Sequence, residues 1–273
     1  MGGKGYNLVR LHRGGFNVPY AFIIVEKAFR EFVQNFKEIL GEQEGKEVSD
    51  ESIEAIQKQI ESTELSENLK KEIESGLESI KKYSTLENPL LAVRSSGVAE
   101  DLDSASFAGM NDTVLNIPCD LHQVCIALKN CWKSLFSRHS IEYRVRNGFS
   151  LVDTSMATVV QVMIPSESSG VVFTADPRTG SRAHLSLDGV QGLGEALVSG
   201  QVSTDHWTIR KPFAKHGHIV EDSQLGQQAY KMVSNYPEPG MSKVELLEKE
   251  SRTACFTKHQ VSVVMMMMMI TSS

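Results

Sequence analysis

The sequence has few cysteines, no long apolar run and no signal-peptide pattern. Its four cysteines, Cys119, Cys125, Cys131 and Cys255, show no C-x-x-C spacing. This argues against a disulfide framework and a structural zinc site, and it favours a reducing compartment. The longest apolar run, residues 263–270, is far shorter than the roughly 20 residues that a membrane helix needs. We therefore expect a cytoplasmic protein with no membrane partner.

A continuous run of positive charge is also missing. The chain carries 28 Lys and Arg against 34 Asp and Glu, a formal net charge of −6. Residues 37–82 alone hold thirteen of the acidic and seven of the basic side chains. Because nucleic-acid-binding domains usually present a basic patch or stripe, this balance argues against DNA or RNA as a partner.

The sequence contains an early helical part and a later strand-rich part. Apolar residues recur at helical spacing over residues 27–40, 53–60 and 69–80, and again from Asp120, a good N-cap, to about Arg146. Short β-rich runs lie at 91–93, 113–117, 158–164, 170–174, 184–187 and 207–210. This order predicts an α+β fold of two subdomains rather than a strict βαβ alternation.

The predicted borders follow the same change of pattern. The first subdomain is placed at residues 1–112, with a helical acidic insertion at about 37–82. A second, partial subdomain is placed at 113–245. Residues 246–273 include five consecutive methionines and are predicted to be a disordered low-complexity tail.

Two segments have the chemistry of a phosphate site. Gly2-Gly3-Lys4-Gly5 places one cation among glycines whose amides can approach an anion closely; a flexible terminus with a solvated lysine is the alternative. The segment is not a Walker A loop, because G-x-x-x-x-G-K-[ST] occurs nowhere in the chain. Arg94 ends a short apolar strand and can fork two donors onto a phosphate, or it can pair with Glu100 or Asp101.

A small-residue loop precedes the strand that starts at Thr113. In this loop Gly109 allows close backbone approach, and the Thr113 hydroxyl can reach a phosphate or a metal-bound water. A plain turn into the strand is the alternative. Gln161 is the single polar residue of the run 159–163, and burying its amide without a partner would cost ~1–3 kcal/mol. We therefore expect it to bond either a ligand or a neighbouring backbone group.

Two further turns end in carboxylates, Glu195 and Asp205. A carboxylate beside a phosphate site usually recruits Mg²⁺ or a sugar hydroxyl, whereas the alternative is a solvated acid in a tight turn. The turn that begins at Asp176 is expected to be structural first.

In this order the segments resemble the N-terminal ATP-binding domain of the pyruvate phosphate dikinase and phosphoenolpyruvate synthase superfamily, which rifampicin phosphotransferases share. The resemblance covers roughly residues 2–233 and rests on GGKG, AVRSSGVAEDLDSASFAGMNDTVLNI, VVQVMIPSESSGVVFTADPRTG and GLGEALVSGQVSTDHW. It implies an ATP-grasp fold with ATP between two subdomains, and Mg²⁺ as the second cofactor. It also implies that the nucleotide is bound by Lys4, Arg94, Gly109, Thr113 and Gln161, with Glu195 close to it.

In complete members of this family the domain passes phosphoryl from ATP to a histidine on a swivelling domain, and from there to pyruvate or an antibiotic hydroxyl. None of the eight histidines here lies in the family's phosphohistidine context, and we expect the ATP-grasp domain to be C-terminally incomplete. The implied partner is a protein with a phosphohistidine domain or the remainder of the enzyme. The alternative is a non-catalytic nucleotide-binding or interaction module derived from the same domain.

Overall fold

The chain forms two compact units, Met1–Ile164 and Pro165–Ser273. The computed structural model describes residues 1–42, 49–97, 113–211, 219–235, 238, 241–246 and 254–256. The border between the units differs from the one expected at 112/113. Residues 113–164 belong to the first unit because strands β3 (Thr113–Pro118) and β4 (Met156–Val162) both pair with β2 (Leu90–Gly97).

The first unit combines a four-stranded antiparallel sheet with helices. The sheet order is β1-β4-β2-β3, with β1 at Ala21–Ile24. Its helices are α1 (Gly2–Arg13), α2 (Glu26–Val33), α3 (Lys37–Glu42), α4 (Asp50–Ser62), α5 (Glu67–Tyr83), α6 (Leu121–Lys133) and α7 (Arg138–Arg146). This mixture of helices and antiparallel strands confirms the α+β class.

The predicted apolar stripes form the core of this unit. α4 and α5 start at Ser49 and Ser66, and each serine Oγ accepts the amide N–H three residues ahead, which satisfies a helix-end donor. The buried positions of these two helices are Ile53, Ile56, Ile60, Leu69, Ile73, Leu77 and Ile80. They are the residues that the helical spacing selected, so the two amphipathic helices are confirmed.

Trp132 lies at the centre of the same core. Its ring is fully buried and contacts Phe29 and Phe32, with centroid distances of 5.4 and 4.9 Å. The indole Nε1 donates to Thr158 Oγ1 at 3.1 Å, so the polar end of this buried side chain also has a partner. The aromatic cluster fixes α2 and α6 against β4.

The helix predicted from Asp120 to Arg146 is two helices. α6 ends at Lys133, a 3₁₀ turn follows at Ser134–Phe136, and α7 begins after Ser137. The Ser137 Oγ accepts the N–H of Ser140. Serine hydroxyls that bond nearby backbone groups compete with helix propagation and favour caps, which explains the break inside one apolar pattern.

The second unit is built on a sheet whose strands lie side by side in chain order. These are β5 (Ser168–Phe173), β6 (His184–Gln191), β7 (Asp205–Arg210) and β8 (Ile219–Gln224). A short helix, α8 (Glu195–Val198), and a hairpin of β9 (Tyr230–Ser234) with β10 (Met241–Glu245) complete its described elements. One face of the sheet is apolar and buried, with Leu185, Leu187, Trp207 and Ile209.

Part of the predicted tail belongs to this fold. Among residues 254–256, the Phe256 ring lies 5.9 Å from that of Trp207, and Cys255 is buried. Burial, together with the nearby Asp205 carboxylate, raises the pKa of the Cys255 thiol, which therefore stays neutral. Residues 247–253 and 257–273, which share the disorder prediction, lie outside the described residues.

No helix in the described parts of either unit combines the length and the apolar character needed to cross a membrane.

Candidate functional site

Arg94 and Gln161 meet on neighbouring strands of the first unit. Arg94 Nη1 donates to Gln161 Oε1 at 3.2 Å, and Gln161 Nε2 donates to the carbonyl of Pro19 at 3.3 Å. Gln161 is 7% exposed, so the expectation that its amide has partners is confirmed. Because one side of the amide is anchored by Pro19, the other side holds the guanidinium of Arg94 in place.

Thr113 lies directly opposite Arg94 in the antiparallel pairing of β2 with β3. Residues opposite each other in such a ladder project from the same face of the sheet. The side chains of successive residues in β2 point to opposite faces of the sheet. Leu91 and Val93 lie in the main core, so Arg94 and Ser96 lie on the other face. Arg94, Thr113 and Gln161 therefore lie together on one face of three adjacent strands.

The glycine-rich start of the chain is a helix, not the flexible terminus considered as an alternative. Gly5 N donates to Ser96 Oγ at 3.2 Å, and Ser96 Oγ donates to the carbonyl of Met1 at 3.4 Å. Gly2 has φ +68°, and a Cβ there would lie 2.1 Å from the carbonyl oxygen of Ser96. The glycines thus allow the helix to start against the end of β2, two residues from Arg94, and Lys4 lies in its first turn.

Ser96 is the positioning residue that the sequence reasoning passed over. It lies in the motif AVRSSGVAEDLDSASFAGMNDTVLNI, two residues after Arg94, and the motif alone assigns its hydroxyl no role. The available signal was the strand period, since two residues from Arg94 means the same face of the sheet. Nothing in the local sequence connects it with Gly5, because the two residues are 91 positions apart.

The carboxylates of interest lie in the second unit. Glu195 is exposed at the start of α8, whereas Asp205 is 1% exposed and accepts the amides of Gly226 and Cys255 at 2.9 and 2.8 Å. The alternative of a solvated acid in a tight turn is therefore wrong for Asp205, since its carboxylate is a buried structural acceptor.

Asp176 is structural, as expected. Its carboxylate accepts the backbone N–H of Arg178 and the hydroxyl of Thr179, both at 2.8 Å. These two hydrogen bonds, the backbone one first, lower the pKa of Asp176. The turn is thereby held by an ionised side chain.

Gly109 and the two acids considered as partners for Arg94, Glu100 and Asp101, lie outside the described residues. Within the residues that are described, no group of three His, Cys, Asp or Glu side chains is placed to hold a metal ion. The sheet face around Arg94 offers a cation, an amide and hydroxyls, a donor set that suits an anion rather than a cation.

Comparison with known proteins decides the family. The family described as pyruvate phosphate dikinase, AMP/ATP-binding domain, matches residues 1–272. The chain belongs to this family.

Relatives of this dikinase-type ATP-binding domain are large enzymes. The chain is 36% identical over 239 residues to a probable phosphoenolpyruvate synthase of Archaeoglobus fulgidus, which covers 84% of this chain and 31% of that protein. It is 31% identical over 284 residues to the phosphoenolpyruvate synthase of Pyrococcus furiosus, covering 89% and 34%. A rifampicin phosphotransferase of Bacillus cereus is 36% identical over 218 residues, covering 77% and 25%. The chain thus spans about a third or less of the length of these curated relatives.

Proposed function

We propose that this chain binds ATP, with Lys4, Arg94 and Thr113 at the phosphates and Gln161 at the nucleotide. The observation that carries the proposal is the shared sheet face of Arg94, Thr113 and Gln161 below the start of α1. The family and its AMP/ATP-binding description support it.

The chemistry of this face suits a triphosphate. Arg94 uses one of its five N–H donors on Gln161, which leaves the others to bond phosphate oxygens in a fixed orientation. The start of α1 adds backbone amides that have no partner within the helix, together with the positive end of its dipole. Lys4 adds a second full charge in the same turn. Such groups bind phosphates by position and charge, the main demands of phosphoryl transfer.

We further propose an ATP-grasp arrangement, in which the second unit supplies Glu195 next to the nucleotide and the loop that contains Gly109 covers the phosphates. The resemblance stated above and the family membership support this arrangement.

We propose that Mg²⁺ binds to this chain only together with the nucleotide. The strand residues on the Arg94 face include the Thr113 hydroxyl but no carboxylate, whereas protein-bound Mg²⁺ usually has one or two carboxylate ligands besides phosphate oxygens and waters. The described residues of this face do not by themselves form a magnesium site.

For the whole protein, we propose a phosphotransferase of the phosphoenolpyruvate synthase or rifampicin phosphotransferase type. Phosphoryl from ATP would pass to a histidine on another domain or partner protein, and from there to pyruvate or a small-molecule hydroxyl. The names of the relatives support this role. Their greater length supports the view that the chain alone does not complete the cycle.

The first test is thermal unfolding of the chain with and without ATP and Mg²⁺, followed by the fluorescence of Trp132 and Trp207, which report on separate units. ATP at ~100 times its dissociation constant should add ~2.7 kcal/mol to the free energy of unfolding. We expect a higher midpoint for the Trp132 transition. A cooperative transition that ATP does not move would contradict the proposal and favour a non-catalytic interaction module.

The contact between Gly2 and Ser96 gives a second prediction. In Gly2→Ala the new Cβ would collide with the Ser96 carbonyl, so the first turn of α1 must move away from Arg94. We expect ATP affinity to fall about ten-fold, as when one good hydrogen-bonded contact is lost, with little change in unfolding free energy because the site is at a helix end. Calorimetric titration with ATP measures the first effect.

The matched control is Gly41→Ala. Gly41 lies in α3, has no neighbour within 4 Å of an added Cβ and does not have a positive φ. It should leave ATP affinity unchanged. Equal affinities for Gly2→Ala and Gly41→Ala would show that the start of α1 does not position the phosphate site.

A further inference from the structure

The first unit contains a cavity of about 700 Å³ between the second half of α1, the start of β1 and the end of α5. This volume is in the range of sites that bind small organic molecules. Its wall includes the apolar side chains of Leu8, Val9, Ile23 and Val162. None of the residues assigned to the ATP site lines it, but two lining residues neighbour Gln161: Pro19 accepts its amide, and Ala21 lies opposite it in the sheet.

Aromatic rings form one side of this cavity. Tyr20 and Tyr83 stack with ring centroids 5.6 Å apart and planes inclined by 29°, and both remain substantially exposed, at 39% and 57%. The aromatic pair offers a flat apolar surface at the opening, on which another planar ring can stack or pack edge to face.

Two cations, Arg13 and Lys82, lie beside the cavity, although the whole chain is acidic. Residues 1–25 contain Lys and Arg but no Asp or Glu. His12 and Arg13 are exposed and line the cavity, and Lys82 Nζ lies 5.0 Å over the ring of Tyr83. A guanidinium beside an apolar cavity suits a carboxylate, which it can bond through two parallel N–H donors.

We propose that this cavity binds a planar aromatic carboxylate, with the ring against Tyr20 and Tyr83 and the carboxylate on Arg13. The ligand is a second molecule and not the base of the nucleotide. Arg13 is nine residues beyond Lys4 in the same helix, about 13 Å along the axis at the usual helical rise. An extended ATP molecule spans a comparable distance, so charge and not distance separates the two ligands. A triphosphate held at Lys4 and Arg94 would bring only a neutral base towards the cavity, and a neutral base leaves the cations at its opening without an anion.

The probe for this site is 2-naphthoate, with 2-naphthalenemethanol as its neutral counterpart of the same ring. Equilibrium dialysis of the full chain should show saturable binding of one naphthoate below about 1 mM. Arg13→Ala should weaken naphthoate binding about ten-fold, as for the loss of a charge-assisted contact, and should leave binding of the alcohol unchanged. Tyr83→Ala should weaken both.

Arg10→Ala is the matched control. Arg10 is exposed in the same helix, faces the ring of Tyr6 at 5.8 Å and does not line the cavity. It removes the same charge and should change naphthoate affinity less than two-fold. Arg13→Lys, which keeps the charge but not the planar fork, should lie between the wild type and Arg13→Ala.

Three results would overturn the proposal. They are the absence of saturable naphthoate binding to the folded chain, equal effects of Arg13→Ala and Arg10→Ala, and displacement of naphthoate by ATP, which would make the cavity part of the nucleotide site. Arg94→Ala separates the two sites, because it should weaken ATP binding and leave naphthoate binding intact.

Discussion

Replacing Arg94 by alanine is expected to weaken ATP binding about 100-fold, which corresponds to ~2.7 kcal/mol. The guanidinium is half-buried and held by Gln161, so its bonds to phosphate are charge-assisted and fixed in direction. Its removal also leaves the Gln161 oxygen, which is buried, without its described donor. Calorimetric titration of the variant with ATP and Mg²⁺ gives the affinity.

Two further variants test whether the loss of ATP affinity is specific to the Arg94 guanidinium. Arg94→Lys keeps the charge but loses the planar fork, so its affinity should lie between those of the wild type and Arg94→Ala. Arg146→Ala removes an arginine whose side chain is 80% exposed on α7 and should bind ATP normally. If Arg94→Ala matched Arg146→Ala in affinity while remaining folded, Arg94 would not be a phosphate ligand.

Replacing Asp205 by alanine is expected to destabilise the second unit by about 3–6 kcal/mol, since each of its two hydrogen bonds to a charged group contributes about 1.5–3 kcal/mol. The carboxylate is buried and holds the amides of Gly226 and Cys255 from two different segments. Without it both amides lose their acceptor inside the fold. Residues 254–256 should then leave the sheet, and Cys255 should become accessible to thiol reagents.

Hydrogen exchange followed by mass spectrometry measures this effect separately in each unit. Peptides that contain Gly226 and Cys255 should exchange faster in Asp205→Ala, whereas peptides of the first unit should not change. Asp205→Asn keeps one acceptor oxygen and should lose less stability. Asp222→Ala, at an exposed position of β8 in the same unit, is the control. Equal exchange in Asp205→Ala and Asp222→Ala would show that the Asp205 carboxylate does not hold these segments.

The sequence predicts only part of the candidate site. Family motifs select Lys4, Arg94, Thr113 and Gln161, and the structure brings all four into the first unit. The motifs give neither the hydrogen bond between Arg94 and Gln161 nor the support from Ser96. These contacts join residues that are 67 and 91 positions apart, so they depend on strand register.

The sequence by itself determined the local elements whose signal is periodic. The apolar stripes of α2, α4 and α5 and the short β-rich runs follow from side-chain spacing. An apolar face can pack against any apolar surface, so these elements require no particular distant residue as partner. The same holds for the predicted Asp120 cap, whose side chain accepts the N–H of Gln123 three residues ahead. The α+β class follows from the order of these elements.

Only the tertiary structure decided the features that depend on distant partners. A glycine-rich start became helix α1 because Ser96 accepts the amide of Gly5 and bonds the first residue. Asp205 was predicted to end a turn, and it is buried because the backbone amides of Gly226 and Cys255 both donate to its carboxylate. Residues 254–256 joined the second unit because the sheet offered Trp207 and the space beside Gly189. Each of these states is stabilised by groups that no local pattern brings together.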